Sequence, residues 1–274
     1  MNTATMTADT VEAADGKILS RKSGPIGHLV FNNPEKRNAF SLDMSVAAAD
    51  VIEDFLNDDA IRVIVLSGAG DKAFVSGGDI SKFEKSRATK EDVAAYVKKG
   101  ERFRELLKGS AKPTVAMIRG YCLGGGFAIA LNCDIRICTE DASFGIPAAK
   151  LGIGYASDRL GQLVQLAGPS AAKDILFTGR RVPAPEALRM GIVNYMVTAG
   201  ELESFVDTYA RTIGNNAPLS IVAAKRGIDE FIKDADKRDV ALCEKVVADC
   251  FASQDYVEGR RAFMEKRKAN FTGK

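Results

Sequence analysis

Residues 114–138 read TVAMIRGYCLGGGFAIALNCDIRIC, and this stretch decides the fold class. Thr114–Ile118 is an unbroken apolar run, the pattern of a strand buried on both faces of a parallel sheet. Gly124, Gly125 and Gly126 then open an apolar segment, and the spacing predicts a short helix over Gly124–Asn132. Ile135–Cys138 reads as another buried strand, so strand, helix and strand alternate as in α/β folds. Three consecutive glycines cost backbone entropy. They mark either a tight contact between helix and sheet or a place where bare amide N–H groups face a ligand, as an oxyanion hole requires. The run has neither the lysine of a Walker loop nor the spacing of a dinucleotide fingerprint.

The same alternation extends in both directions. Upstream, Val63–Leu66 is a second apolar run, ended by Ser67-Gly68, and Ser41 is placed to cap a helix with Met44, Ala48, Val51, Ile52 and Phe55 on one face. Lys17–Ser20 and Ile26–Phe31 read as strands, and residues 1–16 as a flexible polar tail. Ala73–Ile80 places a glycine pair, Gly77-Gly78, and Asp79 after a strand-like segment, either an ordinary turn or a close approach to a ligand. Downstream, Phe144–Asp158 is punctuated by Gly and Pro, as loops that line pockets are. Lys150, Tyr155 and Asp158 are its titratable groups, and Asp158 also reads as the N-cap of the next helix. Pro185 suits a helix start, Gly191 a helix stop, and Ile192–Val197 a last strand. Beyond Glu201 the pattern is helical, with Pro218 starting one helix, an apolar stripe on Ala241–Phe251 and a charged segment over Tyr256–Ala269. The division is therefore a tail over 1–16, a core domain over 17–200 and a helical oligomerisation domain over 201–274, whose apolar stripes need a partner surface.

Composition narrows the function. With 38 Lys+Arg against 36 Asp+Glu the chain has no broad field for nucleic acid or acidic membranes, so neither is an expected partner. Lys98, Lys99, Arg102, Arg104 and Lys108 are interleaved with Glu101 and Glu105, as on a solvated helix face. Five cysteines without a CxxC pair suit free thiols in a reducing compartment, and no apolar run is long enough to span a bilayer. A cytoplasmic location is expected. His28, the one histidine, lies in a strand between Ile26 and Val30, so a Ser–His–Asp triad or a histidine metal site is not expected. No metal, flavin or nicotinamide site is expected either.

Taken in order, four motifs resemble the crotonase (enoyl-CoA hydratase/isomerase) family. Asn32-Asn33-Pro34-Glu35-Lys36-Arg37-Asn38-Ala39-Phe40 matches its N-x-P-x-x-x-N-A-[LF] motif, Ala73–Ile80 its A-F-x-x-G-x-D-[IL] motif and Gly120–Gly126 its G-x-x-x-G-G-G motif, followed by Cys133-Asp134-Ile135-Arg136. Glu258 to Phe271 matches its C-terminal stretch. The resemblance implies an α/β spiral of β-β-α units with a C-terminal helical trimerisation domain, assembled as homotrimers that pair into hexamers. It implies an acyl-CoA thioester as substrate, CoA entering with it and no separate cofactor. By similarity the backbone N–H groups of Gly78 and Gly125 form an oxyanion hole. Lys36 and Arg37 lie near the CoA phosphates, with Ala39 also in the CoA site. Ser76, Gly77, Asp79 and Ile80 lie near adenine and pantetheine, while Phe263 and Lys266 reach a neighbouring subunit's CoA.

Two positions depart from the pattern. Where the family's hydratases carry glutamates, this chain has Ala128 and Ala148, so slow hydration is expected of a lyase or isomerase of this kind. Tyr155 and Asp158 remain as proton-handling candidates. Two alternatives stand beside that reading: a decarboxylase of malonyl-type acyl-CoA, whose enolate forms without proton abstraction, and a non-catalytic CoA-thioester binder.

Overall fold

The computed structural model describes residues 10–79 and 100–274. Val11–Ala13 (β1), Ile18–Ser23 (β2) and Ile26–Phe31 (β3) pair antiparallel in succession. Helix Leu42–Asn57 (α1) leads to Val63–Gly68 (β4) and Ala73–Val75 (β5). After the described part of a helix, residues 100–108 (α2), come Thr114–Ile118 (β6), Tyr121–Leu123 (β7) and helix Gly125–Leu131 (α3). Ile135–Thr139 (β8), Ser143–Gly145 (β9) and helix Gly161–Thr178 (α4) repeat the pattern. Val182–Pro183 (β10), helix Ala184–Arg189 (α5) and Tyr195–Val197 (β11) follow, and then helices Leu202–Gly214 (α6), Pro218–Phe231 (α7), Val240–Ala252 (α8) and Gln254–Met264 (α9).

The strands form a seven-stranded sheet in the order β1-β2-β3-β4-β6-β8-β11 and a four-stranded sheet in the order β10-β9-β7-β5. Each of the pairs β4/β5, β6/β7 and β8/β9 gives one strand to each sheet and is followed by a helix, which is the β-β-α unit of the expected α/β fold. β4 shows why these runs are apolar throughout. Ile64 and Leu66 join the main core with Phe31, Met44, Ile52 and Phe74, whereas Val63 and Val65 face the other way, onto Ile26, Val115 and Ile137 and onto Leu202, Val206 and Ala210 of α6. Ser41 caps α1 as expected, accepting from the Met44 N–H at 3.3 Å.

Several expectations are corrected. Residues 11–13, within the segment read as a loose tail, form β1, because pairing with β2 satisfies their backbone. α6 packs on the large sheet rather than standing with the outlying helices, so the packed core runs past residue 200. The last strand is Tyr195–Val197 rather than Ile192–Val197, and Ile192 and Val193 are buried in the turn before it. α4 is capped at Leu160 and not by Asp158, because the 3-10 turn Ser157–Arg159 intervenes. It also kinks where Gly168 takes φ 78° ahead of Pro169.

α7 is fastened to the core through Lys225, whose Nζ donates to Asp134 Oδ2 at 2.6 Å. The same carboxylate oxygen accepts from the Thr114 N–H and hydroxyl. α8 has no buried residue, and Phe231, Val247, Phe251, Phe263 and Met264 are all exposed. Among the described residues no helix is long and apolar enough to cross a membrane.

Candidate active site

Two strands of the small sheet end side by side and deliver the glycines. β5 and β7 run parallel, Ala73 opposite Tyr121 and Val75 opposite Cys122. Beyond them Gly77 has φ 130° and Gly124 has φ 51° and ψ −116°, conformations that only glycine adopts readily. The Phe40 N–H donates to the Gly77 C=O at 2.8 Å and the Asp79 N–H to the Phe40 C=O at 3.0 Å, so the Gly78 N–H stands outside this bridge. Gly125 opens α3 and its N–H has no acceptor within the helix, whose first bond runs from the Ala128 N–H to the Gly124 C=O at 3.0 Å. The Gly78 nitrogen lies 3.6 Å from the point where a β-carbon on Gly125 would stand. Amides so placed offer donors to a ligand oxygen, which is what stabilising an oxyanion requires.

The glycines of the run differ in their surroundings. A β-carbon on Gly126 would fall 2.1 Å from the Val75 carbonyl oxygen, so Gly126 serves the contact between helix and strand. Gly125 has ordinary room for a methyl group and is exposed.

The loop after β3 is tied to this place by Asn38. Its side chain is buried, accepts from the Asn33 N–H at 2.9 Å and donates to the carbonyls of Ala69 and Ala73 at 3.0 and 2.7 Å. The backbone passes through left-handed conformations at Arg37 and Asn38, with φ 51° and 56°. The Ser76 N–H donates to the Arg37 C=O at 3.1 Å, and Lys36 Nζ lies 3.7 Å from Asp79 Oδ2. Lys36, Arg37, Ala39, Ser76, Gly77, Gly78 and Asp79 thus come together from two loops. Ile80 lies outside the described residues, as do Lys98 and Lys99 of the basic cluster.

Ala128 is half-buried on α3. The Gly124 N–H donates to the Gly145 C=O at 2.8 Å, which brings the end of β9 beside the glycines. Ala148 sits just beyond, in the 3-10 turn Pro147–Leu151, and both it and Tyr155 pack half-buried against the main core. Asp158 has its backbone in the turn Ser157–Arg159, and its side chain is not among what is described. Phe263 and Lys266 are not joined to these loops by any hydrogen bond or ion pair among the described residues. Phe263 instead lines a cavity of about 500 Å³ with Leu219, Phe251, Tyr256 and Phe271.

Three features of charge complete the picture. Burial, with Arg21 second, lowers the His28 pKa from 6.5 to about 4, so the imidazole is neutral. Burial pushes the Cys133 and Cys138 thiols up to about 12, which suits packing and not nucleophilic chemistry. The guanidinium groups of Arg37 and Arg181 both lie over the Tyr121 ring, an arrangement the sequence reading missed because β7 and β10 are far apart in the chain.

A sequence model described as Enoyl-CoA hydratase/isomerase matches residues 21–274. The chain is 33% identical over 257 residues to a crotonyl-CoA hydratase of Syntrophomonas wolfei subsp. wolfei, covering 94% of this chain and 98% of that protein. It is 34% identical over 257 residues to a carnitinyl-CoA dehydratase of Salmonella enteritidis, covering 92% and 97%. It also superposes with a TM-score of 0.90 and 33% identity on a crystal structure described as an enoyl-CoA hydratase/carnithine racemase from Magnetospirillum magneticum, over 94% of this chain and 96% of that one. On sequence and fold together, the chain belongs to the enoyl-CoA hydratase/isomerase family.

Proposed function

We propose that this protein is an enzyme that acts on acyl-CoA thioesters, and that the amides of Gly78 and Gly125 hold the thioester oxygen as it gains charge. The observation that carries the reading is the placement of the Gly78 nitrogen against the open face of Gly125. The names of similar proteins, a crotonyl-CoA hydratase and a carnitinyl-CoA dehydratase, support the substrate class. An enolate concentrates charge on one oxygen, and a rigid donor aimed at it contributes roughly 2.7–4 kcal/mol to catalysis. Lys36 and Arg37 face the phosphates of CoA, with Ala39, Ser76, Gly77 and Asp79 along its length. CoA arrives as part of the substrate.

Ala128 and Ala148 supply no proton donor or acceptor, and each missing group forfeits a factor of about 10² to 10⁴. Ordinary hydration is therefore slow, and Asp158 and Tyr155 are the groups left to move a proton in a lyase or isomerase reaction. Loss of carbon dioxide from a malonyl-type thioester needs only the oxyanion donors, and the half-buried alanine at 148 with Tyr155 packed beside the same core favours that second reading. The exposed apolar side chains of α7, α8 and α9 support assembly as trimers or hexamers, in which Phe263 and Lys266 reach a neighbour's CoA.

Steady-state hydration of crotonyl-CoA, with Asp158→Asn alongside, tests the reading. Fast turnover that the variant abolishes gives Asp158 the role of the absent glutamates. Acyl-CoA binding without turnover sets hydration aside, and carbon dioxide release from methylmalonyl-CoA or ethylmalonyl-CoA then decides between decarboxylation and a binding role.

A further inference from the structure

Two arginines share one aromatic ring beside the glycine site. The guanidinium of Arg37 stands 5.3 Å from the Tyr121 ring centroid and that of Arg181 stands 4.8 Å from it. The sheet fixes this geometry. Val182 pairs with Phe144, and Phe144 with Cys122, which brings the Arg181 Cα to 3.7 Å from the β-carbon position of Gly145. Gly145 is the residue whose carbonyl holds the Gly124 N–H, so Arg181 borders the candidate active site.

Among the described residues the charges around that ring are unbalanced. Arg180, next in the chain, binds both Asp174 and Glu186 at 2.5 and 2.6 Å. Arg37 and Arg181 have no carboxylate within ion-pair distance among the described residues. Nearby Lys36 faces Asp79 only at 3.7 Å. Like charges gathered on one ring repel, and an anion placed against both relieves the repulsion. Guanidinium forks present paired N–H donors matched to phosphate oxygens, and the Tyr121 ring lies within cation–π distance of both.

We propose that Arg37, Tyr121 and Arg181 form a phosphate clamp in which Arg181 is a ligand-binding residue for the CoA portion of the substrate. This rests on the acyl-CoA reading above. A phosphate ester occurs in CoA both as the 3′-phosphate and in the pyrophosphate, and truncated ligands separate the two.

Calorimetric titration of CoA, 3′-dephospho-CoA and pantetheine into the wild type, Arg181→Met and Arg181→Lys tests the clamp. Arg181→Met weakens CoA binding about tenfold, Arg181→Lys restores part of the loss, and pantetheine binding is unchanged. The plot of affinity against salt becomes shallower for the methionine variant. Loss of the effect with dephospho-CoA assigns the clamp to the 3′-phosphate, and its persistence to the pyrophosphate. Equal CoA affinity of the wild type and Arg181→Met overturns the clamp while leaving the acyl-CoA reading standing. A wild type that binds no CoA overturns both, and unchanged thermal midpoints of the variants exclude misfolding as the cause of any loss.

Discussion

At the residue scale, the three adjacent glycines make different demands, and two substitutions separate them. Gly126→Ala drives a methyl group into the Val75 carbonyl and is expected to lower stability by roughly 1–3 kcal/mol, read as a fall in the denaturant midpoint. Gly125→Ala meets only ordinary contacts and is expected to fold like the wild type. It sets a methyl group against the Gly78 amide, so whichever thioester reaction the protein catalyses should fall about 10²-fold or more. Equal activity of that variant would remove the donor role. His28 gives a pH signature. Its folded pKa lies near 4 and its unfolded value near 6.5, so the unfolded chain takes up the proton first as the medium is acidified. Stability is therefore full above about pH 6.5 and declines as pH falls toward 4, by about 3 kcal/mol in all. Urea midpoints at pH 7 and 4.5 should converge in His28→Gln relative to the wild type, and an unchanged pH slope would contradict the assignment.

At the scale of elements, Lys225 ties α7 to the strands through Asp134. Lys225→Met leaves Asp134, among the described residues, with its Thr114 donors and is expected to cost about 1.5–3 kcal/mol, the range for hydrogen bonds to charged groups. Faster proteolysis near Asn215-Asn216, between α6 and α7, is the measurement that checks it. The elements most legible in the sequence were β4, β6 and β8, because strands buried on both faces are written as unbroken apolar runs. α1 was legible because its buried face and its Ser41 cap are local. β1 was not, since Val11-Glu12-Ala13 has no pattern of its own and becomes a strand only through β2. Asp158 looked like a cap because the three-residue turn after it leaves no periodic trace. The expectations for the glycines, Lys36 and Arg37 rest on local motifs, whereas the clasp of Asn38 on Ala69 and Ala73 and the meeting of Arg181 with Tyr121 span long stretches of chain. Such contacts are set by strand pairing and have no local signature.

At the scale of the whole molecule, exposed Val240, Val247 and Phe251 lie on one face of α8, a helix with no fully buried residue. Sedimentation is expected to give the mass of three or six chains, and Val247→Asp with Phe251→Asp to shift it toward one. A wild type sedimenting as one chain would leave that face unexplained. The packing of α6 on the large sheet has a consequence for biosynthesis. Strands β3, β4, β6 and β8 leave the ribosome before the helix that covers Ile26, Val63, Val65, Val115 and Ile137. Until residue 214 has cleared the exit tunnel, the nascent chain carries an assembled sheet with one greasy side bare, and it is in that interval that a chaperone has something to hold.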